Sequence, residues 1–291
     1  MSFDAWVLGH EPLIRLGVFF GVFLLMALWE WRSPRRVLSR SKVQRWGNNL
    51  GLLFTDILVV RLLFPAAAVG MALFAEAHGW GVLNLRDWPS ALELVVALLV
   101  LDFAIWLQHV IFHAVPVLWR LHRVHHADPD YDVTTGSRFH PIEIVLSMLY
   151  KFAVIAVLGP SVVAVVLFEV ILNGAAMFNH ANVRLPLTVD RWLRWFIVTP
   201  DMHRVHHSVQ DDETNSNFGF NLPWWDRLFG TYKAQPDAGH EAMTIGIDGF
   251  HRADQVTSWW GMMKLPFQGR AGDYAVNRRS WHQGDRGGSG S

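Results

Sequence analysis

Histidine is the residue type whose number and spacing could do chemistry in this sequence. Ten of the fifteen histidines fall between residues 109 and 207. They form one pair four residues apart, two H-x-x-H-H triplets and two single positions: His109, His113, His122, His125, His126, His140, His180, His203, His206 and His207. On a helix, offsets of 0, 3 and 4 residues cover an arc of about 100°, so the rings of each triplet can converge. Because imidazole is the commonest biological metal ligand, the pattern predicts a metal site.

The number of these imidazoles indicates two ions. A first-row ion takes about four to six ligands, and a catalytic ion keeps one position open. Eight to ten imidazoles therefore exceed what one ion needs. The carboxylates that could orient the rings are Asp102, Asp128, Glu143 and Asp201. Such residues are also common as solvated or capping groups, and a single triplet could be a pH sensor or an anion-binding patch.

The composition places these histidines in a membrane protein. Hydrophobic residues make up 52% of the 291 residues and charged residues 17%, and the mean hydropathy is +0.21. The lack of cysteine excludes iron–sulfur clusters, thiolate zinc sites and cysteine nucleophiles. Cationic and anionic residues number 25 each, so the charge gives no indication of nucleic-acid binding.

Four apolar segments are long enough to position the histidines at a membrane. They cover residues 13–29, 50–75, 91–108 and 142–178. A span needs about 20 residues, so the first three are predicted spans. The fourth is too long for one span and breaks at Gly159-Pro160, which predicts a hairpin of two short membrane helices, 142–158 and 161–178. The expected fold class is therefore all-α, a multi-pass transmembrane bundle of about four to five membrane segments with a cytoplasmic helical cap holding the histidines.

The loop charges predict the orientation of these spans. Residues 32–45 carry five arginines, one lysine and no acid, whereas residues 76–90 carry a single arginine beside two acids. By the positive-inside rule the N-terminus lies outside and the histidines lie on the cytoplasmic side, which we expect to be that of a bacterial inner membrane.

Three regions are expected along the chain. Residues 1–108 form the N-terminal transmembrane helices, and residues 109–235 form the histidine-rich catalytic region with the hairpin at 142–178. Residues 236–291 form a C-terminal cytoplasmic tail, predicted to be disordered from residue 264 onward. The final GGSGS is typical of a linker added in cloning.

From about residue 95 to 235 the sequence resembles the fatty acid hydroxylase/sterol desaturase superfamily of integral-membrane di-iron enzymes. The resemblance rests on H-V-I-F-H at 109–113, H-R-V-H-H at 122–126, R-F-H-P at 138–141, F-N-H-A-N at 178–182, T-P-D-M-H-R-V-H-H at 199–207 and N-F-G-F-N-L-P-W-W-D-R-L-F-G-T-Y at 217–232. It implies metal roles for the pair and both triplets, with His180 as a ninth ligand and His140 as a further candidate. Fatty acid 2-hydroxylases often carry another histidine where this chain has Ala176, so Asn179, Asn182 or a water would substitute.

The resemblance also implies the reaction. Two iron ions and dioxygen would hydroxylate, or alternatively desaturate, a fatty acyl, sterol-like or other long-chain lipid, and zinc can replace iron in recombinant preparations. Electrons must come from an external ferredoxin, rubredoxin or haem carrier, because the chain has neither cysteines nor a dinucleotide-binding fingerprint. Cationic residues near the clusters, Arg123, Arg138 and Arg204, could hold an anionic head group. The block 217–232 is expected to close the cap, and the oligomeric state is not predicted.

Another class of function stays open at this point. A membrane metal-binding or metal-transport protein would need polar residues running through the spans to make a path, and these are sparse here. Hydrolysis at a zinc centre needs three protein ligands and an open position, which so many histidines disfavour.

Overall fold

The computed structural model describes residues 3–250 and 252–269, and these residues are helical without β-strands, which confirms the all-α class. The helices are α1 (Phe3–Arg32), α2 (Lys42–Leu63), α3 (Ala67–Ala77), α4 (Ser90–Ala114), α5 (Pro116–His126), α6 (Pro141–Leu158), α7 (Val162–Asn179), α8 (Leu187–Leu193), α9 (Pro200–His206), α10 (Asp211–Thr214), α11 (Trp224–Leu228), α12 (Gly239–Ala242), α13 (Ala253–Val256) and α14 (Trp259–Lys264). Short 3-10 turns lie at Val82–Leu85, Thr135–Ser137 and Leu265–Phe267.

Five segments are long and apolar enough to cross a membrane. They are Ala5–Arg32, Lys42–Leu85, Ser90–Ala114, Pro141–Leu158 and Val162–Asn179. At about 1.5 Å per residue, even the 18-residue helices approach the thickness of a hydrocarbon layer of about 30 Å. Helix α1 exposes Leu13, Phe20 and Trp31 on its outer face, as a helix in contact with lipid does. The chain is a multi-pass membrane protein.

The second predicted span differs from the expectation because a proline breaks it. Helix α2 ends at Leu63 and α3 begins at Ala67. Pro65 has no N–H to donate and disfavours helical geometry at the preceding residue, and Phe64 is accordingly non-helical with φ −134°. The Phe64 ring packs edge-on against Phe152 of α6, with centroids 5.2 Å apart. Helices α2 and α3 therefore cover the second apolar segment as two rods joined by a bend.

The predicted hairpin is present as helices α6 and α7. Gly159 ends α6 with φ +66°, a left-handed conformation that favours glycine. A Cβ at this position would lie 2.4 Å from the carbonyl oxygen of Trp80, so the close approach of the neighbouring loop also requires glycine. Ser161 caps α7, and both its N–H and its hydroxyl donate to the carboxylate of Glu93 at the start of α4. This end of the bundle is opposite to the histidines.

A buried charge network attaches α2 to the histidine cap. The guanidinium of Arg45 donates to Asp128 at 2.7 Å and also pairs with Asp132, and all three side chains are fully buried. Asn49, one turn further along α2, donates to the hydroxyl of Thr134 at 3.0 Å. The first two turns of α2 therefore belong to the cap rather than to the membrane layer.

The C-terminal segment is ordered further than the sequence predicted. Residues 264–269 were expected to be disordered, but Leu265 is fully buried in a cluster with Leu52, Trp119 and Met262. The apolar run Leu265–Phe267 gives this segment a face to bury, and it packs against α5. The rest of the tail expectation, including the GGSGS end, falls on residues 270–291 and lies outside the described residues.

Candidate metal centre

Nine of the ten clustered histidines converge at one end of the membrane helices, in two adjacent groups. The first group contains His109, His113, His122, His126 and His206, and the second contains His125, His180, His203 and His207. Within each group, one ligand nitrogen per ring lies within 4.8 Å of all the others, and every ring is buried. Each H-x-x-H-H triplet contributes to both groups, because α5 and α9 pass between them.

In the first group, the Nε2 atoms of His109, His122 and His206 face one another. His109 donates its Nδ1–H to the carbonyl oxygen of Phe218 and His206 donates its own to that of Ser216, both at 2.7 Å. His122 Nδ1 lies 2.6 Å from a carboxylate oxygen of Glu143. With the proton on Nδ1, each Nε2 carries a lone pair. Yet Nε2 of His109 lies 3.0 Å from Nε2 of both His122 and His206.

Such an approach is repulsive unless a cation lies between the nitrogens. Two imidazoles bound about 2.1 Å from one ion at right angles would place their nitrogens about 3.0 Å apart. His113 and His126 complete the group in the same orientation, because their Nδ1 atoms face Asn215 Oδ1 and Thr214 Oγ1 while their buried Nε2 atoms have no hydrogen-bond partner. The residues therefore fit a transition-metal ion.

The second group fits an ion on the same grounds. His180 donates Nδ1–H to the carbonyl oxygen of Ala176, and its Nε2 lies 3.2 Å from Nε2 of His125. The ring nitrogens of His203 and of His207 are buried without a hydrogen-bond partner, which is costly for neutral polar atoms, and a metal ion would satisfy one nitrogen of each ring. The His126 and His207 rings stack with centroids 4.6 Å apart, so the two groups are direct neighbours.

Burial holds the imidazoles of the cap neutral. It lowers the pKa of His122 and of His180 to about 3. Burial, followed by neighbouring imidazoles, also lowers the pKa of the other five histidines outside the membrane helices well below the ordinary value; these are His125, His126, His203, His206 and His207. Neutral imidazole is the form that binds metals, so the rings are ready to bind at neutral pH.

The tenth clustered histidine lies apart from both groups. His140 caps α6, where its Nδ1 accepts from the backbone N–H of Ile142 and its Nε2 faces the carbonyl oxygen of Met263. Asn179 donates to the carbonyl oxygen of Phe220 and leaves its buried Oδ1 without a partner. Asn182 instead bonds the backbone of Arg36 through both atoms of its amide.

Of the four carboxylates predicted to orient the rings, one contacts a ring and three bond other groups. Glu143 contacts His122 directly. Asp102 accepts from Asn221 and Trp225, and its carboxylate is thereby fully engaged away from the rings. Asp201 pairs with Arg204, and Asp128 pairs with Arg45. Backbone carbonyl oxygens, which sequence cannot identify, take the orienting role at three other rings, those of His109, His180 and His206.

The three arginines proposed for a head group are all occupied within the protein. Arg123 donates to the carbonyl oxygens of Leu265 and Gln268. Arg138 donates to backbone carbonyls, among them that of Val124, and Arg204 pairs with Asp201. All three side chains are buried, so the structure places them as supports of the cap.

A cavity of about 310 Å³ extends from the first group into the membrane bundle. His109 and His122 form its histidine end. Its apolar wall comes from five helices and includes Phe19, Leu53, Ile57, Ile105, Phe112, Ile144, Leu172 and Met177. Such a cavity can hold an acyl or alkyl chain next to the imidazoles.

The block 217–232 closes the histidine end, as expected from its sequence. Asp226 accepts from the backbone N–H groups of Phe218 and Gly219, from the Trp106 indole and from the Thr231 hydroxyl. Because the carbonyl of Phe218 in turn accepts from His109, this aspartate fixes the loop that orients a candidate ligand ring.

One buried histidine outside the clusters was not anticipated. His240, one of five scattered histidines expected at the surface, is 4% exposed and lies 3.6 Å from Asp201. Of the other four, His251 and His282 lie outside the described residues. No pattern around His240 in the sequence marks it as buried.

Comparisons with known proteins agree with this geometry. A family model described as fatty acid hydroxylase matches residues 94–231. An ornithine lipid hydroxylase of Rhizobium tropici is 29% identical over 251 residues, which cover 80% of this chain and 70% of that protein. The alkylglycerol monooxygenase of Xenopus tropicalis is 27% identical over 240 residues, or 80% of this chain and 50% of that protein. The cholesterol 25-hydroxylase of Rattus norvegicus is 23% identical over 158 residues, 52% of this chain and 51% of that protein.

No solved structure matches the chain. The alignments span about half the length of the frog and rat enzymes, so those comparisons bear on the histidine region and its membrane helices rather than on the whole of either protein. The matched region contains all nine converging histidines. The histidine region of the chain therefore matches the fatty acid hydroxylase family, and these similarities support an oxidoreductase of the fatty acid hydroxylase/sterol desaturase superfamily.

Proposed function

We propose that the protein is a dioxygen-dependent membrane hydroxylase that inserts one oxygen atom into a C–H bond of a lipid. The observation that carries this proposal is the convergence of three Nε2 atoms at the end of an apolar cavity, where Nε2 of His109 lies 3.0 Å from Nε2 of both His122 and His206. The relatives named above are a lipid hydroxylase, a monooxygenase and a sterol hydroxylase, which favours hydroxylation over desaturation.

Nine histidines would hold two iron ions, five at the first group and four at the second. Iron bound there would supply the capacity to activate dioxygen, with two electrons from an external carrier such as a ferredoxin, rubredoxin or haem protein. The chain's own residues bind the lipid along the cavity wall, orient the imidazoles through Glu143 and the carbonyl of Phe218, and exclude water. The buried Oδ1 of Asn179 is the polar atom we propose to complete the four-histidine group, directly or through water.

The histidine end is proposed to face the cytoplasm of a bacterium, with the N-terminus outside the inner membrane. The support is the cationic segment 32–45, which leads into the cap end of α2. An electron carrier would then dock on the cytoplasmic surface of the cap.

The test combines metal analysis of anaerobically purified protein with lipid mass spectrometry of the expressing cells. We expect two iron ions per chain and a lipid that gains one oxygen atom. The variant His109→Ala should lose the product and lower the iron content. The matched control is His140→Asn, which removes an imidazole outside both groups, keeps a capping side chain and should retain both.

Two results would contradict the proposal. A lipid that loses two hydrogens without gaining oxygen would make the enzyme a desaturase with the same site. Stoichiometric metal without any oxidised lipid, in cells that supply reduced carrier and dioxygen, would favour metal binding or transport instead.

A further inference from the structure

The cavity wall carries a polar patch in which the proposed reaction uses one oxygen only, the Glu143 oxygen that contacts His122. Beside the apolar side chains, the carboxylates of Asp56 and Glu143 and the amide of Gln108 line the cavity. Asp56 lies on α2, Gln108 on α4 and Glu143 on α6, so three helices bring these groups to one space. Asp56 and Glu143 are each 4% exposed.

The oxygen atoms of this patch lack donors. Neither carboxylate oxygen of Asp56 has a hydrogen-bond partner, and the same holds for Oε2 of Glu143 and Oε1 of Gln108. Glu143 uses its other oxygen for His122, and Gln108 uses its amide nitrogen to donate to the Ser147 hydroxyl at 2.6 Å. All four unpartnered atoms are acceptors. Native proteins satisfy nearly all buried polar atoms, so four free acceptors around one cavity indicate a missing donor.

Within the described residues, no cation balances Asp56. The charged side chain close enough to act on it is another carboxyl, that of Glu143. Lys151 also lines the cavity, but its ammonium group is 2.6 Å from Glu169, which Arg15 contacts as well at 2.7 Å. The patch therefore offers no free positive charge to an anion such as a phosphate, and its unpartnered oxygens can accept from a group with N–H or O–H bonds.

We propose that Asp56, with Glu143 and Gln108, binds a hydrogen-bond-donating group of the lipid substrate and so selects lipids that carry a hydroxyl, amine or amide N–H beside the hydrocarbon chain. This inference rests on the proposed function in that the cavity holds the substrate. It replaces the expectation of an anionic head group held by arginines, because those arginines are occupied within the protein. Since Glu143 also contacts His122, the donor group is held next to the five-histidine group.

The test compares two probes that differ in one donor. Purified full-length protein in detergent is titrated calorimetrically with hexadecan-1-ol and with its methyl ether, 1-methoxyhexadecane. The alcohol can donate to a carboxylate, whereas the ether has the same chain and can only accept. We expect the alcohol to bind about tenfold more tightly, because it donates to a buried oxygen that the ether leaves without a partner. Equal binding of the two probes would overturn the proposal.

Two variants separate the carboxylate from the rest of the wall. In Asp56→Leu, both probes should still bind through the apolar wall, and the preference for the alcohol should fall to less than about twofold. In Leu53→Ala, the matched control on the same helix and in the same cavity, both probes should weaken by a similar factor while the preference remains. Retention of the preference in Asp56→Leu would refute the role of Asp56.

A stability measurement on the empty protein provides an independent check. Leucine is apolar and lines the same cavity, and it removes two unpartnered buried oxygens. We therefore expect Asp56→Leu to raise the apparent Tm, as removal of an unsatisfied buried group does. A lower Tm in Asp56→Leu and also in the nearly isosteric Asp56→Asn, which does not overpack the site, would mean that the carboxylate is bonded within the protein, which contradicts the proposal.

These measurements can refute the inference about the cavity independently of the proposed hydroxylase function. Probe binding requires neither dioxygen nor electrons, so a clear preference for the alcohol in a protein that oxidises no lipid would leave the inference about the cavity intact and refute the hydroxylase. Conversely, oxidised lipid in cells together with equal probe binding would support the hydroxylase and refute the selection by Asp56.

Discussion

Removal of the Glu143 carboxylate should weaken one metal site and spare the other. Its Oε1 lies 2.6 Å from Nδ1 of His122, and both side chains are buried. In Glu143→Ala the imidazole loses the acceptor that keeps its proton on Nδ1, so Nε2 is no longer held as a free lone pair. A charge-assisted hydrogen bond of this kind is worth about 1.5 to 3 kcal/mol, which corresponds to about 10- to 100-fold in metal affinity.

The assay is metal content per chain after equilibration with chelators of graded strength. We expect Glu143→Ala to lose one ion per chain to a chelator whose metal affinity is about 10- to 100-fold lower than the native protein requires. The affinity for the second ion should be unchanged. Glu143→Gln keeps an acceptor oxygen and should show a smaller shift. Asp102→Asn is the control carboxylate, because Asp102 bonds Asn221 and Trp225 rather than a histidine. Simultaneous loss of both ions, or of neither, would refute this reasoning.

Two other predictions concern the fold. Gly159→Ala should destabilise the protein by about 2 to 4 kcal/mol in denaturant unfolding, because alanine is strained at this left-handed position and its Cβ would lie 2.4 Å from the Trp80 carbonyl oxygen. The control is Gly174→Ala, whose Cβ would lie 4.0 Å from Val22, and this variant should be neutral or slightly stabilising. Equal losses of stability in the two variants would contradict the steric argument. Burial lowers the pKa of His240 from 6.5 to about 4, so the unfolded chain binds an extra proton between these values and stability falls as pH drops through this window. His240→Gln should lose less stability than the native protein between pH 7 and pH 5, and identical pH dependence would show that His240 is not responsible.

The spacing of the histidines predicts the part of the site that depends on helical geometry. Offsets of 3 and 4 residues bring the rings of α5 and α9 to one side of each helix, as the structure shows for His122, His126 and His206. Spacing does not divide the rings between two ions, since that depends on how α5 and α9 cross. His125 and His126 are adjacent in sequence and belong to different groups.

Half of the atoms that orient the rings could not be predicted from the sequence, because they are backbone carbonyl oxygens. Phe218, Ser216 and Ala176 act through their main-chain oxygen, to which the side chain gives no clue. The burial of Arg138 could not be predicted either, because it depends on partners far away in the sequence. Arginine is mostly exposed in proteins, and nothing in the neighbouring residues marks this one as buried. The bend at Pro65, by contrast, could be predicted from the proline itself, although hydropathy alone shows one continuous apolar segment.

The division of the imidazoles along the chain has a consequence for biogenesis. His109 through His126 are translated about eighty residues before His206 and His207, and each group needs rings from both stretches. Neither group can thus be finished until the last triplet has left the ribosome, when all five apolar segments have already been made. Insertion into the bilayer must therefore be guided by hydrophobicity and loop charge, with metallation as the final maturation step. If the two groups hold iron as proposed, a cell short of iron would accumulate a fully inserted chain whose histidine groups are empty.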